Sequence, residues 1–169
     1  MNQEQSDKSA KELIADLGSS EGMVRQRARQ ALVEKGENVV DDLIEAFKEK
    51  KEPLHFEAAK ALSKIGSKKA IQTFIEALED EEFSIRWVAV EGLIGIGNDA
   101  IKPLLILLEH HSDTILIRDG VHHVVFDLVS RNIVDEKTRK ILQSVIDSYH
   151  HLEAEMFIPV AAKNALDQL

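Results

Sequence analysis

Six of the seven histidines in this chain occur as three adjacent pairs in its C-terminal half. Imidazole nitrogens bind transition metals, and neighbouring carboxylates often complete such sites. Adjacent residues of a helix point about 100° apart, so one pair supplies at most one ligand to a common centre. We therefore expect polar edge residues rather than a metal site, with a pH-sensitive patch as the alternative. The candidate metal ligands are His110, His111, His122, His123, His150 and His151.

Two aromatic residues are candidate anchors for a partner. Phe56 and Trp87 lie off the apolar stripe of their predicted helices, so both rings are expected to be partly exposed. Such aromatic residues often dominate the binding energy of an interface; alternatively, these rings cover the seam between neighbouring repeats. For Ile94, the sequence leaves open whether it belongs to the core or to a groove. The candidate partner-binding residues are Phe56, Lys60, Trp87, Glu91, Ile94 and His123.

A basic residue recurs near the start of the predicted second helices. Arg25, Arg86 and Arg118 occupy equivalent positions, and His55 takes that position in the second repeat. A row of cations along one edge could bind an acidic partner. A guanidinium group also forms strong hydrogen bonds to carboxylates and carbonyls. We expect these three arginines to be structural residues that join one repeat to the next.

The elements that position these residues follow from an internal repeat. Three segments of 24 residues begin at Leu13, Leu43 and Phe74, so their starts are 30 and 31 residues apart. Each segment carries apolar residues at helical spacing, a polar turn, small residues three apart and a closing glycine, which predicts a helical hairpin. Two more divergent copies follow. The expected organisation is a flexible tail at 1–10 and one domain at 11–169, with repeats at 11–37, 38–67, 68–98, 99–132 and 135–169.

A single hairpin cannot bury its apolar face, whereas stacked hairpins bury it against their neighbours. The sequence therefore predicts an all-α fold, an α-solenoid of about five helical hairpins whose second helices line the concave face. A compact helical bundle is the structural alternative. The regular repeat spacing favours the solenoid.

The second half of each repeat carries a family resemblance. It reads VRQRARQALVEKG from Val24, LHFEAAKALSKIG from Leu54 and IRWVAVEGLIGIG from Ile85. These motifs resemble the HEAT-like repeat of the phycobilisome-lyase type, over residues 11–130 more closely than over 135–169. The resemblance implies an α-solenoid. It also implies an alternative function, in which the chain is a bilin lyase-like accessory protein that handles a chromophore or chromoprotein.

Composition excludes several classes of protein. The 169 residues include no cysteine, so disulfides, thiolate metal sites and a cysteine nucleophile are excluded, and a reducing, cytoplasmic location is expected. The net charge of −9 argues against binding to nucleic acid. The apolar runs are too short to span a membrane, and the polar N-terminus lacks a signal peptide's apolar segment.

The favoured function is binding rather than catalysis. The sequence contains no nucleophile elbow, P-loop or dinucleotide fingerprint, and we expect no catalytic residues and no cofactor. We expect a scaffold, adaptor or accessory subunit that binds another protein on the concave face. Exposed apolar surfaces at the two ends of a solenoid also make a homodimer an option. A metal-binding protein that uses the histidine pairs is a further alternative.

Overall fold

The computed structural model describes residues 8–151 and 153–169, a part of the chain that contains no β-strand. Ten α-helices follow one another there, and short 3-10 helices at Gly36–Val39 and Lys68–Ala70 lead into two of them. The predicted all-α class is confirmed. None of these helices is long and apolar enough to cross a membrane. The helices are α1 (Ala10–Leu17), α2 (Gly22–Lys35), α3 (Val40–Lys48), α4 (Leu54–Ile65), α5 (Ile71–Ala77), α6 (Phe83–Ile96), α7 (Asn98–His111), α8 (Ile115–Ser130), α9 (Glu136–Ser148) and α10 (Ala154–Leu166).

Helix α1 begins with a complete capping box. The Ser9 hydroxyl accepts a hydrogen bond from the Glu12 backbone N–H, and the Glu12 carboxylate accepts one from the Ser9 N–H at 2.8 Å. Lys8 forms an ion pair with Asp16 at 2.6 Å. Residues 8–10 therefore differ from the flexible tail expected at 1–10, because they already cap and open a helix. Residues 1–7 lie outside the described part.

The first four hairpins stack as an α-solenoid. The two helices of each hairpin pack against each other, and the second helices α2, α4, α6 and α8 contact one another in succession. The small residues of the repeat lie in these contacts and are buried, which lets neighbouring backbones approach closely. They are Ala28, Ala31, Ala58, Ala61, Ala89 and Gly92.

Among the glycines, Gly92 of α6 has the least space for a side chain. A Cβ atom built on Gly92 would lie 2.5 Å from Cε2 of Phe74 and 2.6 Å from its Cζ. Phe74 belongs to α5, and its side chain is only 1% exposed. The ring therefore occupies the space that any larger residue at position 92 would need.

The fifth hairpin departs from the stacking expected for residues 135–169. Helix α9 packs against α8, but α10 packs mainly against α7. Within the last four helices, each helix thus contacts two of the other three, in a ring that runs α7, α8, α9, α10 and back to α7. Ala162 and Ala165 of α10 are buried in this hairpin.

The composition of α7 explains this change of partner. Helix α7 buries apolar residues at successive positions, Leu104 and Leu105, as well as Ile101 and Leu108. Adjacent residues cannot share one narrow stripe, so α7 presents apolar surface to more than one neighbour. Helix α10 covers the surface that α8 leaves open.

Substituting Gly92 by alanine is expected to destabilise the fold by roughly 1–3 kcal/mol, because the new methyl group displaces the buried Phe74 ring. Urea unfolding followed by helical circular dichroism measures this change. Gly95 of the same helix is the matched control, since its added Cβ would lie 3.8 Å from the nearest neighbouring atom, the Ser63 carbonyl oxygen. Gly95→Ala should be neutral or stabilising by up to about 1 kcal/mol. Equal stability of the two variants would contradict the packing constraint at Gly92.

Candidate functional site

The three recurrent arginines close the turns of their own hairpins. In each case Nη1 donates to the backbone carbonyls six and five residues earlier, so the guanidinium holds the turn between the first and second helix. This differs from the expected link between repeats. The bonds run from Arg25 to Ser19 (2.8 Å) and Ser20 (3.0 Å), from Arg86 to Asp80 (2.8 Å) and Glu81 (3.0 Å), and from Arg118 to Ser112 (2.7 Å) and Asp113 (3.3 Å).

Two of these arginines make a second contact that does cross between repeats. Arg25 Nε lies 3.6 Å from Oε1 of Glu57, a buried carboxylate on α4 that also forms a short ion pair with Arg29. Arg118 Nη2 lies 3.2 Å from Oε1 of Glu155 at the start of α10. The links between repeats therefore depend on these acidic residues, which the repeat pattern did not identify.

His55 replaces the arginine in the second hairpin. Its Nδ1–H donates to the Phe47 carbonyl at 2.7 Å, and its Nε2 lies 3.4 Å from Oδ2 of Asp80 in the third hairpin. Burial would raise the pKa of Asp80, but the hydrogen bonds from the Glu82 N–H and Lys50, together with the charges of Lys50 and His55, outweigh burial and lower it. Asp80 is thus kept as a carboxylate between the two hairpins.

Exposed aromatic rings meet on α6 and α8. Trp87 is 46% exposed, and its ring centroid lies 5.2 Å from that of His123 in an edge-on arrangement. Phe83, one turn before Trp87, is 69% exposed with its centroid 6.5 Å away, and Phe126 on α8 is 50% exposed. We call these four residues the aromatic face. Because this group combines exposed apolar rings from two neighbouring helices, it is our candidate for recognition.

Trp87 separates two depressions. The α6–α8 depression has a volume of about 270 Å³, and the α4–α6 depression has one of about 350 Å³. The first is lined by Leu78, Phe83, Arg86, Trp87, Val90, Leu116, Asp119, Gly120 and His123. The second is lined by Lys60, Ser63, Lys64, Trp87, Val88, Glu91, Ile94, Gly95 and Arg131.

The structure places most of the expected partner-binding residues around these depressions. Lys60, Trp87, Glu91 and His123 line them. Ile94 does not project from the surface, because it is only 6% exposed and forms part of the floor. This decides the choice left open by the sequence: Ile94 belongs to the core.

Phe56 lies half-buried, with the Lys60 ammonium 5.0 Å from its ring centroid. Phe83 and Phe126 were not among the residues expected from the sequence. Spacing was the available signal for the two phenylalanines, since Phe83 precedes Trp87 by four positions and Phe126 follows His123 by three, which puts each pair on one helical face.

Three residues of the histidine pairs, His122, His123 and His151, make ring contacts. The ring centroid of His122 lies 4.6 Å from that of Tyr149, and His151 lies 4.6 Å from Phe157. Over residues 8–151 and 153–169, no three side chains of histidine, aspartate or glutamate are grouped so that they could hold a metal ion.

His122 and Tyr149 join α8 to the turn after α9. The Tyr149 hydroxyl donates to the Arg118 carbonyl at 3.0 Å, and burial raises the pKa of this phenol. Burial lowers the pKa of His122, the positive charges of His150 and His123 lower it further, and Asp119 opposes them. The folded protein therefore favours neutral His122 against Tyr149.

The sign of this shift predicts acid sensitivity. Because the folded-state pKa of His122 lies below its ordinary value of 6.5, its contribution to stability is present above that value and is lost as the pH falls through it. The free energy of unfolding, measured in urea, should decrease from about pH 7.5 to about pH 5.5. Carboxylates titrate below this range.

His122→Phe keeps a ring against Tyr149 and should flatten this pH dependence. His110→Gln changes an exposed histidine and should leave it intact. An unchanged slope in His122→Phe would assign the acid sensitivity to other groups.

A sequence model of HEAT repeats matches residues 10–94. The matched region runs from the first residue of α1 almost to the end of α6, and it covers half of the chain. A search of the curated proteins found no match. The match agrees with the stacked hairpins, their closing glycines and their arginine-held turns. The chain belongs to the HEAT repeat family.

Proposed function

We propose that this chain is a protein-binding module that receives its partner on the exposed surface of α4, α6 and α8, with Trp87 at the centre. HEAT repeats commonly mediate protein–protein interaction. The observation that carries the proposal is the position of Trp87, half exposed on the ridge between two depressions. The proposed role is that of a scaffold, adaptor or accessory subunit.

The aromatic face has the composition of an interface centre. Large aromatic rings contribute much buried area at a small cost in side-chain entropy. Trp87, Phe83 and Phe126 all keep a large part of their apolar surface in contact with water, which a partner would remove. Depressions on both sides of Trp87 can accept side chains from that partner, as pockets around hot-spot residues do.

The face is also held in place before binding. Arg86 fixes the turn that precedes α6, and Trp87 is the next residue in the chain. The edge-on contact with His123 restrains the indole ring from the side of α8. A surface whose rings are already positioned loses less conformational entropy on binding than a mobile one.

The resemblance to the phycobilisome-lyase repeat type supplies the competing hypothesis, in which the depressions take a bilin. The chain has no cysteine, so it could not hold a bilin through a thioether of its own. A change in bilin absorbance on mixing with the purified protein would favour that hypothesis.

Sedimentation velocity on the same sample tests whether the partner is a second copy of this chain.

Trp87→Ala is expected to reduce retention of the partner by at least about tenfold, since loss of a central aromatic anchor costs about 2 kcal/mol or more. The measurement is quantitative mass spectrometry of proteins that tagged wild type and variant retain from the source cells. Helicity and the urea midpoint should change little, because the indole is half exposed.

Ile106→Ala is the matched control, because Ile106 is an exposed apolar residue on α7, away from the aromatic face. It should retain the partner as wild type does. Unchanged retention by Trp87→Ala together with a large loss of stability would make Trp87 a packing residue and overturn the proposal.

A further inference from the structure

The side chains on the two sides of Trp87 differ in charge. On the α4 side, Lys60 and Lys64 lie one helical turn apart and both line the α4–α6 depression. In a chain with 30 acidic and 21 basic residues, neither ammonium lies within 4.0 Å of a carboxylate of residues 8–151 and 153–169. Their charges are thus not neutralised within the described structure.

Lysines just beyond the end of α4 behave differently. Lys68 pairs with Asp99 at 3.3 Å, and Lys69 pairs with Asp41 at 2.7 Å. Carboxylates are therefore available close to this part of the chain. At Lys60 the ammonium is instead directed over the Phe56 ring, and Lys64 is exposed. The two cations beside Trp87 remain open to a carboxylate from outside.

The rest of the α4–α6 depression suits an acidic residue beside an apolar one. Ile94 and Val88 provide an apolar floor, and Ser63 and Gly95 leave space because both are small. Glu91 is the one carboxylate among the lining residues, against three cations.

One of those cations, Arg131, is already paired with Asp127 at 2.5 Å. The free positive charge of the depression is therefore concentrated on α4.

On the other side of Trp87 the charges are balanced, with one cation and one anion among the lining residues. Asp119 is exposed and lines the α6–α8 depression, where Arg86 donates to two backbone carbonyls. Asp119 and Asp127 also line a third depression along α8. Asp127 is paired with Arg131, so Asp119 carries the acidic character of this side. An acidic group is therefore favoured more towards α4 than towards α8, which restricts where the charges of a partner can lie.

We infer that the partner presents an acidic segment in which one or two carboxylates precede or follow a large apolar side chain. The carboxylates bind Lys60 and Lys64, and the apolar side chain packs against Trp87. This inference rests on the proposed function and specifies the partner's chemistry. A nucleic acid is the poorer fit, because the chain carries a net charge of −9 and its phosphates would extend towards Asp119.

Trp87 itself provides the measurement, because it is the only tryptophan of the chain and its fluorescence reports on this face alone. The probe is a short capped peptide with two glutamates, one glycine and a Phe-Leu pair. Two matched peptides replace the glutamates by lysines or the Phe-Leu pair by serines. The acidic apolar peptide should change the emission saturably, bind at least about tenfold more tightly than the other two, and weaken as salt is added.

Lys64→Glu should weaken binding of the acidic peptide by about tenfold or more, since it replaces an attraction by a repulsion. Because Lys64 forms no ion pair in the described structure, the urea midpoint of the Lys64→Glu variant should remain that of wild type. Lys102→Glu makes the same charge change at an exposed position on α7. This control should bind the peptide as wild type does.

Several outcomes would overturn the inference. These are equal or tighter binding of the lysine peptide, no emission change with any peptide at millimolar concentration, or full competition by a single-stranded oligonucleotide. Loss of the cellular partner in Trp87→Ala but not in Lys64→Glu would leave the proposed function standing and remove only the acidic preference. Retention of that partner by both variants would remove the proposed function as well.

Discussion

The close packing of the second helices on small residues is the constraint on which the rest of the structure depends. A second helix within the stack must contact its own first helix and a second helix on each side. Alanines at the shared positions allow this, and at Gly92 the Phe74 ring of the first helix needs the whole space of a side chain. A side chain as large as an indole does not fit at these small-residue positions and must lie elsewhere on the helix. Trp87 and Phe126 are exposed for this reason.

The turns fix the orientation of the second helices and therefore the position of the exposed surface around Trp87. An arginine that donates to two carbonyls of its own turn fixes the angle at which the second helix begins. His55 bonds to one carbonyl of its own turn and also places Nε2 3.4 Å from Oδ2 of Asp80. Trp87 directly follows Arg86, so the central residue of the proposed site lies next to the two hydrogen bonds that hold its turn.

The C-terminal hairpin supports the same surface from one side. By packing on α7 as well as on α9, helix α10 closes the last four helices into a ring. Near the start of α8, the Tyr149 hydroxyl donates to the Arg118 carbonyl, and the Glu155 carboxylate pairs with the Arg118 guanidinium. Helix α8 carries His123 and Phe126, so the packing of α9 and α10 around it helps to fix the position of the aromatic face.

The sequence by itself determined the helical hairpins, the recurrence of a basic residue near the start of the second helices and the partial exposure of Trp87, because these follow from local periodicity. Only the tertiary structure decided that Ile94 is buried, that the arginines bond within their own hairpins, and that α10 covers α7. Periodicity shows which face of a helix is apolar, but it does not show which neighbour will cover that face. The concentration of free positive charge on the α4 side of Trp87 has the same origin, since residues of α4, α6 and α8 lie together there only through stacking.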